Sequence, residues 1–122
     1  KIVDVMQLGY SKEEVIKMTK NFPQIYTLSM ETMKQKIEFY DSIDMHLLAV
    51  QDPKQLMQSI ALSYARYQFY LSKGIIINME NYRKLFIGNQ VFEKAYGITK
   101  EELLAEYNYE EYLEEKKNGR AI

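Results

Sequence analysis

Few residues of this chain could do chemistry: one histidine, no cysteine, and sixteen Lys and Arg among 122 residues. His46 lies in the stretch DSIDMHLLAV, where Asp41 and Asp44 are the only neighbours able to orient it. A general base needs such a partner and also a reacting group within reach, so a turn or helix-end role fits His46 better. Without Cys there is no thiolate metal site, no disulfide framework and no thiol chemistry. The glutamates between Glu101 and Glu115 lack the loop glycine and the alternation that calcium sites require, and a solvated helix face is expected. No Gly-rich phosphate loop, HExxH or GxSxG is present. No catalytic residue, metal, cofactor or small-molecule substrate is expected.

What remains is cationic. FPQIYTLSMETMKQKIEFYDS (22–42) and DPKQLMQSIALSYARYQFYLS (52–72) align without a gap at an offset of 30 residues. They share Pro23/Pro53, Ser29/Ser59, Phe39/Phe69, Tyr40/Tyr70 and Ser42/Ser72, and Lys36 falls on Arg66. Cations recurring once per unit along a surface are what phosphate-backbone binding needs. Lys36 and Arg66, with Lys34, Lys54, Lys73, Arg83 and Lys84, form the candidate nucleic-acid contact set, for DNA or RNA. The bland reading, that each is an exposed lysine or arginine on a solvated face, competes with it. A second candidate is a protein partner docking on Tyr107, Tyr109, Tyr112, Glu110 and Glu111. Tyrosines can anchor a partner or stack on bases, but more often they seal helix seams.

The elements that must position these residues are helical. Ser11 with Glu14, and Thr99 with Glu102, make the Ser/Thr-x-x-Glu capping box that opens a helix. Pro23 and Pro53 suit a turn or a first helical position, Asp52 and Asn78 are expected caps, and Ser29 and Ser59 cap the longer helices that follow. In the second long helix, Ile60, Tyr64, Tyr67 and Leu71 share one apolar face, and Leu62, Ala65 and Phe69 share another. Ser59, Ser63, Arg66, Tyr70 and Lys73 are left as the polar stripe. Most of the seven Met residues fall on expected core positions. The expected fold is all-α: a short right-handed-type α-solenoid of helix–proline turn–helix units of about 30 residues, since neither half of a unit buries its faces alone. The expected limits are one domain over 1–118, with units at 6–44, 45–74 and a degenerate 75–118 without proline, then a frayed tail at 119–122.

These residues resemble the repeat of the mitochondrial transcription termination factor (mTERF) family. Gly9, Ser11, Ile16, Pro23, Ile25, Leu28, Ser29, Ile37 and Phe39 carry the resemblance in the first unit. Pro53, Leu56, Ser59, Arg66 and Phe69 carry it in the second, where the leading glycine is missing. It is clear over 6–75. It implies stacked helix pairs whose concave basic face holds nucleic acid, without catalysis, and organelle members act in transcription, translation and ribosome assembly.

Net charge is −1, less basic than a nonspecific nucleic-acid binder usually is. The longest apolar run, Gly74 to Ile77, is far shorter than a membrane span, and the opening residues do not make a secretory signal pattern. A cytoplasmic location is therefore expected, the opening Lys1 in place of Met leads to the expectation of a piece of a longer chain, and thirteen Lys against three Arg suggest an AT-rich, bacterial genome.

Overall fold

The computed structural model describes residues 2–119, so the expected tail falls, beyond Gly119, outside the described residues. Among the described residues the chain is all-α, with no strand. It forms two compact units, residues 1–58 and 59–122.

The first unit contains α1 (Ile2–Met6), α2 (Lys12–Asn21), a 3-10 turn at Pro23–Thr27, α3 (Met30–Ser42), α4 (Leu48–Gln51) and a second 3-10 turn at Pro53–Met57. Both halves of the capping box that opens α2 are made: the Glu14 amide donates to Ser11 Oγ (3.1 Å), and the Ser11 amide to Glu14 Oε1 (2.8 Å). α2 ends because residue 23 is proline, which forces the residue before it out of helical geometry. Phe22 and, before Pro53, Asp52 accordingly sit at φ −154° and −145°. Val5, Val15, Met18, Ile25, Met33, Leu48, Ala49 and Leu56 are fully buried in this unit.

The second unit holds α5 (Ile60–Ser72), a third 3-10 turn at Tyr82–Phe86, α6 (Asn89–Tyr96), α7 (Lys100–Glu106) and α8 (Tyr109–Lys117). Phe69, Tyr70, Phe92 and Tyr96 form its aromatic centre, with ring centroids 4.8–6.2 Å apart. Most of these pairs meet edge to face, the arrangement aromatic quadrupoles favour. α7 opens on the second capping box, Thr99 with Glu102.

Each of the five residues shared by the two long stretches does the same job twice. Pro23 and Pro53 start a 3-10 turn. The hydroxyls of Ser29 and Ser59 accept from the amides three residues on, Thr32 and Leu62. Phe39, Tyr40, Phe69 and Tyr70 are buried. Ser42 and Ser72 donate to the carbonyls of Phe39 and Phe69, both at 2.6 Å. Both long helices then close through a left-handed residue, Asp44 (φ +58°) and Gly74 (φ +75°). The next amides, Met45 and Ile75, reach back to Tyr40 O and Tyr70 O, each at 2.8 Å.

The third repeat, expected over 75–118, differs from its expected form. Residues 82–86 are a 3-10 turn, not an α-helix, and Tyr82 stands 29 residues after Pro53 in the proline's place. Asn78 caps no helix. Its side-chain oxygen accepts from the Glu80 and Asn81 amides, closing a local turn. Asp52 also makes no side-chain cap bond to the backbone; its carboxylate accepts from Gln55 Nε2 (3.1 Å).

The left-handed aspartate yields a direct prediction. Asp44 is exposed and holds a conformation that glycine adopts without strain. Asp44→Gly should raise unfolding stability by roughly 0.5–1 kcal/mol, while Gly74→Ala should lower it by at least as much. Urea denaturation of the two variants beside the parent chain measures both.

Candidate nucleic-acid interface

A short 3-10 turn ending against a new helix leaves backbone carbonyls without partners, and burying these is costly unless donors reach them. In each unit that donor is the mid-helix cation singled out by the repeat. Lys36 of α3 donates through Nζ to the carbonyls of Leu56 (2.5 Å) and Gln58 (2.8 Å), at the end of the second turn. Arg66 of α5 donates through Nη1 to the carbonyls of Leu85 (2.9 Å) and Ile87 (2.6 Å), at the end of the third. Its Nη2 adds the side chain of Asn89 (3.1 Å), and its guanidinium carbon lies 4.7 Å from the centroid of Phe92. The two cations therefore address the same pair of places, the fourth residue of the turn and its C-cap.

This corrects the expectation for Lys36 and Arg66 as phosphate contacts. They are 9% and 2% exposed, and Lys36 Nζ and Arg66 Nη1 already donate to backbone carbonyls. Burial lowers the pKa of both from the ordinary lysine and arginine values, for arginine against the opposing influence of Tyr70. The middle of the polar stripe expected on α5 is likewise buried: Ser63, Arg66 and Tyr70 are inside alongside Ala65 and Phe69, while Ser59 and Lys73 at its ends and Leu71 of the expected apolar face (43%) are exposed. Hydrogen-bond demand overrides hydropathy here, since a carbonyl pair recruits the guanidinium and the Lys84 carbonyl recruits the Tyr70 hydroxyl (2.7 Å). Burial holds the Tyr70 hydroxyl protonated well above the ordinary tyrosine range, helped by its hydrogen bond with Tyr96.

The remaining cations are exposed. Lys34 and Lys54 lie in the first unit, and Lys73, Arg83 and Lys84 in the second. Within the second, the Tyr70–Lys84 hydrogen bond brings the third 3-10 turn, with Arg83 and Lys84, to the last part of α5, which Lys73 follows directly as C-cap. Lys73 Nζ lies 5.5 Å from the Phe69 ring centroid, and Arg83 Cζ lies 5.0 Å from that of Tyr82. Both cations rest partly on aromatic rings, which limits their rotamers and leaves the charge at the surface.

The tyrosines of the C-terminal helices are divided. Tyr109 and Tyr112 meet Tyr64 of α5 with centroids 5.6 Å and 4.7 Å apart, so they hold α8 to α5. Tyr107 is the C-cap of α7, and Glu110 and Glu111 are exposed in the first turn of α8.

His46 is clasped by both ring nitrogens. Nδ1 meets Asp41 Oδ1 at 2.5 Å, Nε2 meets the Gly9 carbonyl at 2.8 Å, and the ring stacks on Tyr10 at 4.0 Å. The role is structural. Among the described residues no group of three or more His, Asp or Glu could hold a metal ion, and no helix is long and apolar enough to cross a membrane.

Helix, 3-10 turn and longer helix, with the ends of the second and third turns each tied by a cation from the preceding long helix, define an all-α helical-repeat protein. Residues 1–93 match the mTERF family, and the chain belongs to it. That family is a generally nucleic-acid-binding, non-enzymatic helical-repeat family. No curated protein and no solved structure matches the chain.

The braces carry a stability prediction. Arg66→Met keeps much of the volume but leaves the Leu85 and Ile87 carbonyls unpaired. It should cost roughly 2–4 kcal/mol, against a smaller loss for Arg66→Lys, which retains the charge but not the forked donor set. Lys36→Met should cost a similar amount to Arg66→Met, read from urea midpoints at constant slope.

Proposed function

We propose that this chain is a non-catalytic nucleic-acid-binding module that tracks the phosphate backbone of DNA or RNA with its exposed cations. The observation that carries this reading is the grouping of Lys73, Arg83 and Lys84 around the Tyr70–Lys84 hydrogen bond, three surface charges held by ordered backbone within one unit. Lys34 and Lys54 are the corresponding contribution from the other unit. Lys36 and Arg66 act indirectly, keeping the 3-10 turns in the form that presents their neighbours. Membership of a nucleic-acid-binding family supports the reading. With a net charge of −1, the affinity rests on local charge grouping rather than on the field of the whole molecule.

The protein-docking alternative loses support from the engagement of Tyr109 and Tyr112 with Tyr64, which leaves Glu110 and Glu111 as its exposed members.

Fluorescence anisotropy of labelled single-stranded and duplex DNA and RNA, titrated at several salt concentrations, tests the proposal. The parent chain should bind with an affinity that falls steeply with salt. Lys73→Ala/Arg83→Ala/Lys84→Ala should bind more weakly and flatten the log–log salt slope by roughly 0.7–0.9 for each phosphate contact removed. Because these side chains are exposed, circular dichroism of the triple variant should be unchanged. Absence of binding even at low salt, where electrostatics is least screened, would sink the proposal.

A further inference from the structure

His46 is held between two groups that can only accept. The Asp41 carboxylate has no proton to give when ionised, and the Gly9 carbonyl never has one, yet they lie 2.5 Å and 2.8 Å from the two ring nitrogens. A neutral imidazole carries one N–H and one lone pair, so it would satisfy one partner and turn a lone pair on the other. Only the imidazolium, with two N–H donors, fits both.

The surroundings are built around that species. Gly9 has φ +105°, and a Cβ there would meet His46 Cε1 at 3.0 Å, so the backbone passes close to the ring at a position glycine alone fills easily. Tyr10 stacks its ring on the imidazole within 9° of parallel and donates its hydroxyl to the His46 carbonyl at 2.7 Å. The charged groups facing the ring are Asp41 from α3 and Glu14 from α2. α4 (Leu48–Gln51) brings no titratable side chain, and Asp44 of the same turn is exposed. Every charge facing His46 is thus negative.

We infer that His46 is a proton-operated latch of the first unit, closed as the imidazolium, which ties the turn after α1 to the end of α3 and the start of α4, and loosened when the ring loses its proton. Partial burial alone would lower its pKa, but the hydrogen bonds to Asp41 and Gly9 and the charges of Asp41 and Glu14 together raise it above the ordinary 6.5. Such a group adds stability that is fully present below pH 6.5 and is lost as pH rises through the folded-state value. The first unit is therefore tightest on the acid side of neutrality and looser in mildly alkaline conditions.

Nitrogen-15 NMR of the whole chain with labelled histidine follows the single imidazole through its titration, since both nitrogens change shift when protonated. The expected result is an imidazolium that persists above pH 6.5, with a folding equilibrium constant that falls about tenfold for each pH unit by which its titration is raised. His46→Gln should abolish that step. Asp41→Asn should bring the titration down to or below the ordinary value. Protection of the Gly9 amide, corrected for the pH dependence of chemical exchange, should decline as the ring deprotonates. A parent-chain imidazole titrating at or below 6.5, or a His46→Gln variant retaining the same stability step, would overturn the latch. Should His46→Gln fail to fold, the parent titration and Asp41→Asn still decide.

Discussion

The fold depends on a buried positive charge meeting a pair of backbone carbonyls. A 3-10 turn is short and poor in internal hydrogen bonds, and where it abuts a helix its last carbonyls would be stranded in an apolar surround. A cation from the preceding long helix removes that cost, and the carbonyl dipoles in turn stabilise a charge that would be expensive to bury alone. Removing either partner strands the other, so the brace fixes which backbone atoms must face which helix. Apolar packing, which tolerates sliding more readily, does not specify position in that way.

The braces also account for what the repeat retains as it changes along the chain. The helix before the turn has ten residues in α2 and four in α4, and none precedes the third turn. The proline, too, has given way to Tyr82 there. The turn nonetheless occurs three times, and at the second and third its far end is held from the long helix behind it and not from the helix that leads in. Lysine serves once and arginine once. Where arginine stands, its planar fork reaches a third acceptor, Asn89, and lies against Phe92, which a lysine could not do in the same way.

The cations thus divide into two populations with different physics. Lys36 and Arg66 are interior donors whose charge serves folding. Lys34, Lys54, Lys73, Arg83 and Lys84 lie at the surface, where charge can be exchanged for counterions and phosphates. Sequence spacing could not separate the two, because a cation recurring every 30 residues is equally what a backbone brace and a phosphate contact require. The separating variable is whether an unpaired carbonyl lies within reach, which is a property of another segment of the chain.

Local signals alone determined the all-α class, the capping boxes at Ser11 and Thr99, the serine caps at 29 and 59, and the equivalence of the two long helices. Each rests on hydrogen bonds or proline sterics within a few residues, so the information is contiguous. Tertiary structure decided the rest. It turned the middle of the polar stripe of α5 inward, made a 3-10 turn of 82–86 without a proline, and paired Gly9 with His46 across 37 residues. It also engaged Tyr109 and Tyr112 with Tyr64. In each case a buried polar or aromatic group found its partner far away in sequence, and no window along the chain contains both halves of such a pair.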